Sequence, residues 1–107
     1  MSIEPILFYS TNRGVHGATL ADALLQGQAS DRGLFLPETY PTLLPVEVAN
    51  LADKSYFEVA HAVLRRFTAG VIPDARLRAL CRDAYDYDVP IERVEGRRHL
   101  LRLDRGP

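Results

Sequence analysis

A chain of 107 residues has room for one small domain, and folding at this size buries roughly 65% of the unfolded chain's surface, too little to enclose a cofactor between two lobes. With 47% hydrophobic and 25% charged residues, the composition excludes wholesale disorder. The formal charge of -1 supplies no long-range field for nucleic acid or an anionic membrane, and the basic residues, all Arg except Lys54, alternate with Asp and Glu instead of forming a block.

Ile6 to Tyr9 is a short apolar run with β-branched and aromatic character, which predicts a buried strand. Ser10 to Ala18 then breaks regularity through Asn12, Gly14 and Gly17. Thr19 is placed to cap a helix whose Leu20, Ala23 and Leu24 form the expected buried stripe, with Asp22 in its first turn and Gly27 as its stop. Asp31 to Gly33 turns the chain into an expected strand at Leu34-Phe35-Leu36, and Pro37, Pro41 and Pro45 delay the next helix to Val46–Leu51. Tyr40, Leu43 and Leu44 read as loop anchors on a core rather than as part of a proline-rich ligand.

Ser55-Tyr56-Phe57-Glu58 is a capping box opening a helix to about Ala69, whose apolar arc from Tyr56 to Phe67 is wide enough to predict a central helix buried on more than one side. From Pro73-Asp74 a further helix sets Leu77, Leu80, Cys81, Ala84 and Tyr85 on one face and Arg76, Arg78, Arg82, Asp83 and Asp86 on the other. Ile91–Val94 and His99–Leu103 predict a hairpin around Glu95-Gly96. The whole is an α+β fold, a small single domain of three to four helices with short strands.

Ser10, Thr11, Asn12 and Arg13 place two hydroxyls, an amide and a guanidinium in a loop directly after a strand, with Gly14 and Gly17 freeing backbone N–H groups nearby. That inventory suits a phosphate or a carboxylate. The glycine spacing fits no phosphate-loop pattern, so the other reading stays open: a structural turn that caps the strand and pairs Arg13 with a carboxylate. Asp31-Arg32-Gly33 reads as a turn.

His16, His61 and His99 are scattered without partners at ligand spacing, so no metal site is expected. His61, at the rim of the apolar arc, reads as a structural histidine. Cys81 reads as a small core residue, and as the sole cysteine it has no disulfide partner within the chain, which makes the cytoplasm the default compartment. No apolar run approaches the ~20 residues of a membrane span. Acidic Asp83, Asp86 and Asp88 cancel the field of Arg76, Arg78 and Arg82, so neither nucleic acid nor membrane is an expected partner. Lys54, the only side-chain amine, lies beside Asp53 with nothing to depress its pKa.

Phe8-Tyr9-Ser10-Thr11-Asn12-Arg13, then Ala23-Leu24 with Gly27, then Asp31-Arg32-Gly33-Leu34-Phe35-Leu36-Pro37 resemble, in that order, the start of the threonine synthases. Leu101-Arg102-Leu103-Asp104-Arg105-Gly106-Pro107 is similar to that family's Leu-Glu-Leu-Phe-His-Gly-Pro, after which the family continues into its cofactor-binding lysine. Asp104-Arg105 stands where the family usually has Phe-His. The resemblance implies that residues 1–107 are the amino-terminal domain of a tryptophan-synthase-β-like, pyridoxal-phosphate enzyme that converts O-phosphohomoserine and water to threonine and phosphate.

On that resemblance the catalytic domain is the missing partner, and Gly106 and Pro107 adjoin the cofactor segment. The Ser10–Arg13 loop becomes a candidate lining for the substrate's phosphate, and this chain alone is expected to bind no cofactor and to be inactive. The alternative is a stand-alone, non-enzymatic domain whose apolar helical face docks on a partner.

Overall fold

Strand β1 (Phe8–Ser10) is only three residues long, yet it is hydrogen-bonded on both sides in the computed structural model, which describes residues 4–104. On one side it pairs antiparallel with β2 (Phe35–Pro37), in the register Phe8↔Pro37, Tyr9↔Leu36 and Ser10↔Phe35. On the other the returning segment bridges Phe8 through Ala18, with Phe8 N to Ala18 O at 2.8 Å and the reciprocal bond at 3.0 Å. This double flank explains why Phe8 and Ser10 are buried in so short a strand.

Helix α1 (Leu20–Gln26) begins in a true capping box: Asp22 N donates to Thr19 Oγ1 at 3.1 Å, and Thr19 N donates to Asp22 Oδ2 at 3.2 Å. Gly27, at φ 71°, takes the left-handed backbone that closes it. The expected buried stripe is only partly present. Leu20 and Ala23 are half-buried, but Leu24 is exposed, because an open groove separates it from β2 and nothing packs over that groove among the described residues.

Helix α2 (Pro45–Ala49) starts at Pro45 itself, one residue before the expected start, since the first helical position tolerates a missing N–H. Its Glu47 carboxylate accepts from Leu44 N at 3.1 Å and pairs with Arg66 of α3 (Tyr56–Thr68). At the start of α3 the Glu58 carboxylate accepts from both the N–H and the hydroxyl of Ser55, the latter at 2.7 Å.

Helix α4 (Asp74–Ala84) packs on α3. Leu77 and Cys81 are buried as expected, and burial pushes the Cys81 thiol up from its ordinary pKa. The expected register is otherwise rotated. Leu80 is half exposed, and Arg78 and Arg82, assigned to the solvent face, lie 5.3 and 5.6 Å over the Phe57 ring. The buried seam is Leu77/Cys81 flanked by the arginine stems, since both guanidiniums gain the face of an aromatic ring without leaving water.

His61 is buried and its Nε2 lies 3.0 Å from Asp74 Oδ1, tying α3 to the first turn of α4, and Tyr56 packs on Tyr85 and Tyr87. The chain finishes in an antiparallel hairpin of β3 (Ile91–Glu95) and β4 (Arg98–Leu101), with every residue of both strands exposed. Arg102 braces it, donating to Glu92 at 2.8 Å and to Asp104 at 2.7 Å. Among the described residues, four helices and two small antiparallel sheets make the α+β fold that the sequence predicted.

Candidate functional site

The Ser10–Arg13 loop is built from the end of β1 and is stitched to a second loop, Asp31–Gly33, by side-chain hydrogen bonds. Ser10 is fully buried, its hydroxyl donating to Asp31 Oδ1 at 2.5 Å while accepting from Asn12 N at 3.1 Å. The same carboxylate accepts from Gly33 N at 3.0 Å through Oδ1 and from Gly14 N at 2.9 Å through Oδ2. Asn12 Nδ2 donates to the Asp31 carbonyl at 2.9 Å, and Thr11 Oγ1 accepts from Leu34 N at 2.9 Å.

Asp31 is the hub, and the Ser10 hydroxyl first, then the N–H groups of Gly33 and Gly14, hold its carboxyl below the usual 3.8. The two loops approach so closely that a Cβ on Gly33 would overlap Ser10 Oγ and lie 2.9 Å from both Asn12 N and Thr11 Oγ1. Only glycine fits there. Asp31-Arg32-Gly33 is the turn its sequence predicts, and it also closes the Ser10 loop. The long-range Asp31–Ser10 contact leaves no signal in the sequence beyond a serine ending a strand and a distant Asp-x-Gly turn.

The backbone N–H groups of Gly14 and Gly17, expected to be available to an anion, are both taken by carboxylates: Gly14 by Asp31 and Gly17 by Glu38 Oε1 at 3.1 Å. The side chains of Ser10, Thr11 and Asn12 are likewise engaged within the loop pair. Arg13 differs. It is exposed, has a left-handed backbone at φ 64°, and among the described residues takes part in no ion pair; the expected pairing with a carboxylate does not form. Its carbonyl is held by the His16 ring at 2.8 Å, and that ring stacks 6.5 Å from Tyr9. The result is a hydrogen-bonded loop that displays an exposed guanidinium in no ion pair among the described residues; Arg32 of the second loop is likewise exposed and in no ion pair. Gly106 and Pro107 lie outside the described residues.

Grooves among the described residues include two outside this loop. One, of about 370 Å³, lies at the α3–α4 turn, where Arg65 is engaged by Asp74 at 3.5 Å. The other, of about 500 Å³, lies between α1 and the β1–β2 pair and is lined by apolar side chains including Phe8, Leu20, Leu24, Leu34 and Leu36. Neither is lined by Lys54, an exposed residue, so among the described residues no enclosed side-chain amine faces either groove. Among the described residues no cluster of His, Cys, Asp and Glu is arranged to hold a metal ion, and no helix is long and apolar enough to cross a membrane.

The sequence profile of the family described as "Threonine synthase N terminus" matches residues 7–85. Threonine synthase of Pseudomonas aeruginosa is 33% identical over 105 residues, covering 94% of this chain and 22% of that protein. Threonine synthase-like 1 of Mus musculus is 35% identical over 95 residues, covering 81% of this chain and 13% of that protein. In three dimensions the chain superposes on the crystal structure of pyridoxal-phosphate-bound threonine synthase from Brucella melitensis with a TM-score of 0.80, at 37% identity, covering 95% of this chain and 23% of that one. It thus spans less than a quarter of the length of these relatives.

Proposed function

The chain belongs to the threonine synthase amino-terminal family, and on that premise we propose that it serves as the amino-terminal part of an enzyme converting O-phosphohomoserine and water to threonine and phosphate. The observation that carries this is agreement along nearly the whole chain in sequence and backbone with an enzyme solved with its cofactor bound. Pyridoxal phosphate would supply the carbanion chemistry from a part of the polypeptide beyond this chain. The residues here do not fit the cofactor, the single amine being exposed Lys54, so no chemical step is assigned to them.

What this chain contributes in that reading is binding. Ser10, Thr11, Asn12 and Arg13 line the phosphate end of the substrate site unequally: the first three, with Asp31, hold the loop's shape, and Arg13 presents the charge. A guanidinium suits a phosphate because its donors form a planar fork matching two phosphate oxygens.

Arg13→Ala in the enzyme that carries this domain tests it. The Michaelis constant for O-phosphohomoserine is expected to rise about ten- to a hundredfold, the equivalent of one charge-assisted contact, with the melting midpoint near wild type. An unchanged Michaelis constant removes the loop from the site.

A further inference from the structure

Arg13 and Arg32, one in each of the two joined loops, share a conformation. Their φ angles are 64° and 70°, and among the described residues they are the only non-glycine positions in the left-handed region. A bulky side chain there is an outlier, and such outliers persist only where the surrounding structure imposes them, which is most often at functional sites.

The surroundings impose both by the same device. The N–H of each arginine donates to the carbonyl three residues back, Arg13 N to Ser10 O at 2.8 Å and Arg32 N to Ala29 O at 2.9 Å. Each arginine's own carbonyl is then held by a side chain, that of Arg13 by His16 Nε2 at 2.8 Å and that of Arg32 by Gln28 Nε2 at 2.9 Å. A carbonyl only accepts, so His16 carries its hydrogen on Nε2.

Asp31 brings the two turns together. Its carbonyl accepts from Asn12 and its carboxylate from Gly14, the residues on either side of Arg13, and Arg32 follows it directly in the chain. A Cβ on Gly14 would lie 3.2 Å from the Asp31 Cβ, so the backbones meet at that point. Each arginine is a single Cα step of about 3.8 Å away from it. The carboxylates bonded to these loops are spent on backbone: Asp31 on the N–H groups of Gly14 and Gly33, Glu38 on that of Gly17. Arg13 and Arg32 are exposed and in no ion pair among the described residues. Two like charges gathered in this way repel, and a phosphate dianion between them turns that repulsion into attraction.

We propose that Arg32 is a second guanidinium of the phosphate site, gripping the phosphate of O-phosphohomoserine together with Arg13. The inference rests on the reading of the Ser10–Arg13 loop as phosphate-binding and adds the partner loop to it. A phosphate ester presents three terminal oxygens, and each guanidinium offers a planar fork to two. One fork anchors the group; two forks from different loops also fix its orientation.

The left-handed backbone makes Arg32→Gly the informative variant, because glycine takes φ 70° freely and the turn loses only its guanidinium. In the enzyme that carries this domain, Arg32→Gly is expected to raise the KM for O-phosphohomoserine, and the inhibition constant of inorganic phosphate, about ten- to a hundredfold. Its kcat should stay within about twofold of wild type, and its melting midpoint should be equal or higher. Arg76→Ala, which removes an exposed guanidinium from α4, should leave both constants unchanged. An unchanged KM in Arg32→Gly overturns the proposal, as does an equal rise in Arg76→Ala, which would make the effect one of overall charge. If Arg13→Ala raises KM and Arg32→Gly does not, the second guanidinium alone is refuted; if Arg13→Ala leaves KM unchanged, the phosphate reading falls and this inference with it.

Discussion

Replacing Gly33 by alanine probes the contact between the two loops. The new Cβ would overlap Ser10 Oγ and sit 2.9 Å from a backbone nitrogen, Asn12 N, that has no freedom to rotate away. Forcing a methyl group into packed surroundings costs about 1–3 kcal/mol. If the Ser10 hydroxyl swings aside instead, it abandons both Asp31 and Asn12 N, and losing buried hydrogen bonds costs about 1–3 kcal/mol. Gly33→Ala is therefore expected to destabilise the chain by about 1–3 kcal/mol by either route, lowering the melting midpoint by about 5 °C or more in a domain of this size. The mechanism has a signature beyond the magnitude. In a Ser10→Ala background the overlapping oxygen is gone, so Gly33→Ala should cost at least about 1 kcal/mol less than it does alone. Denaturant titrations of the wild type, both single variants and the double variant measure this coupling. Additive effects, or a Gly33→Ala cost below about 0.5 kcal/mol, would refute the close-approach explanation.

Three further outcomes are expected. Leu77→Ala, which empties a buried site on α4, should cost about 2–5 kcal/mol, and half-exposed Leu80→Ala only about 1 kcal/mol, in chemical denaturation. Because the folded-state pKa of Asp31 is depressed, its contribution to stability is present above the unfolded value of about 3.9 and is lost as pH falls through the lower folded value; Asp31→Asn should flatten this acid limb in melts below about pH 4. After incubation with pyridoxal phosphate and gel filtration, the isolated chain should show no aldimine absorbance; a stoichiometric band lost in Lys54→Ala would refute that.

Much of the fold was legible because its signals are local. Thr19, Gly27 and the Ser55–Glu58 pair mark helix ends through contacts a few residues away, and the structure places α1 and α3 accordingly. The register of α4 was less accessible, since an arginine counted as polar packs its stem and guanidinium against Phe57 at 5.3 Å. Leu24 misled for a different reason: its helical spacing marks an apolar face but does not say whether the covering surface belongs to the same domain. At the candidate site the residues were visible and their division of labour was not. Ser10 and Asp31 are 21 positions apart, and only the fold reveals that their bond uses the hydroxyl assigned to an anion.

The exposed β3–β4 hairpin carries a consequence for handling the domain by itself. Its outer edges offer unpaired backbone groups, and Ile91, Val94, Leu100 and Leu101 supply apolar contacts to any strand that aligns with them. What opposes such alignment is charge: Glu92, Arg93, Glu95, Arg97 and Arg98 crowd the same short ribbon. Both signs are interspersed there, so an aligning strand would have to strip water from charged groups and match their signs at once. Resistance of the isolated ribbon to edge-to-edge association therefore rests on these side chains keeping their water, and replacing them with apolar residues would favour that association.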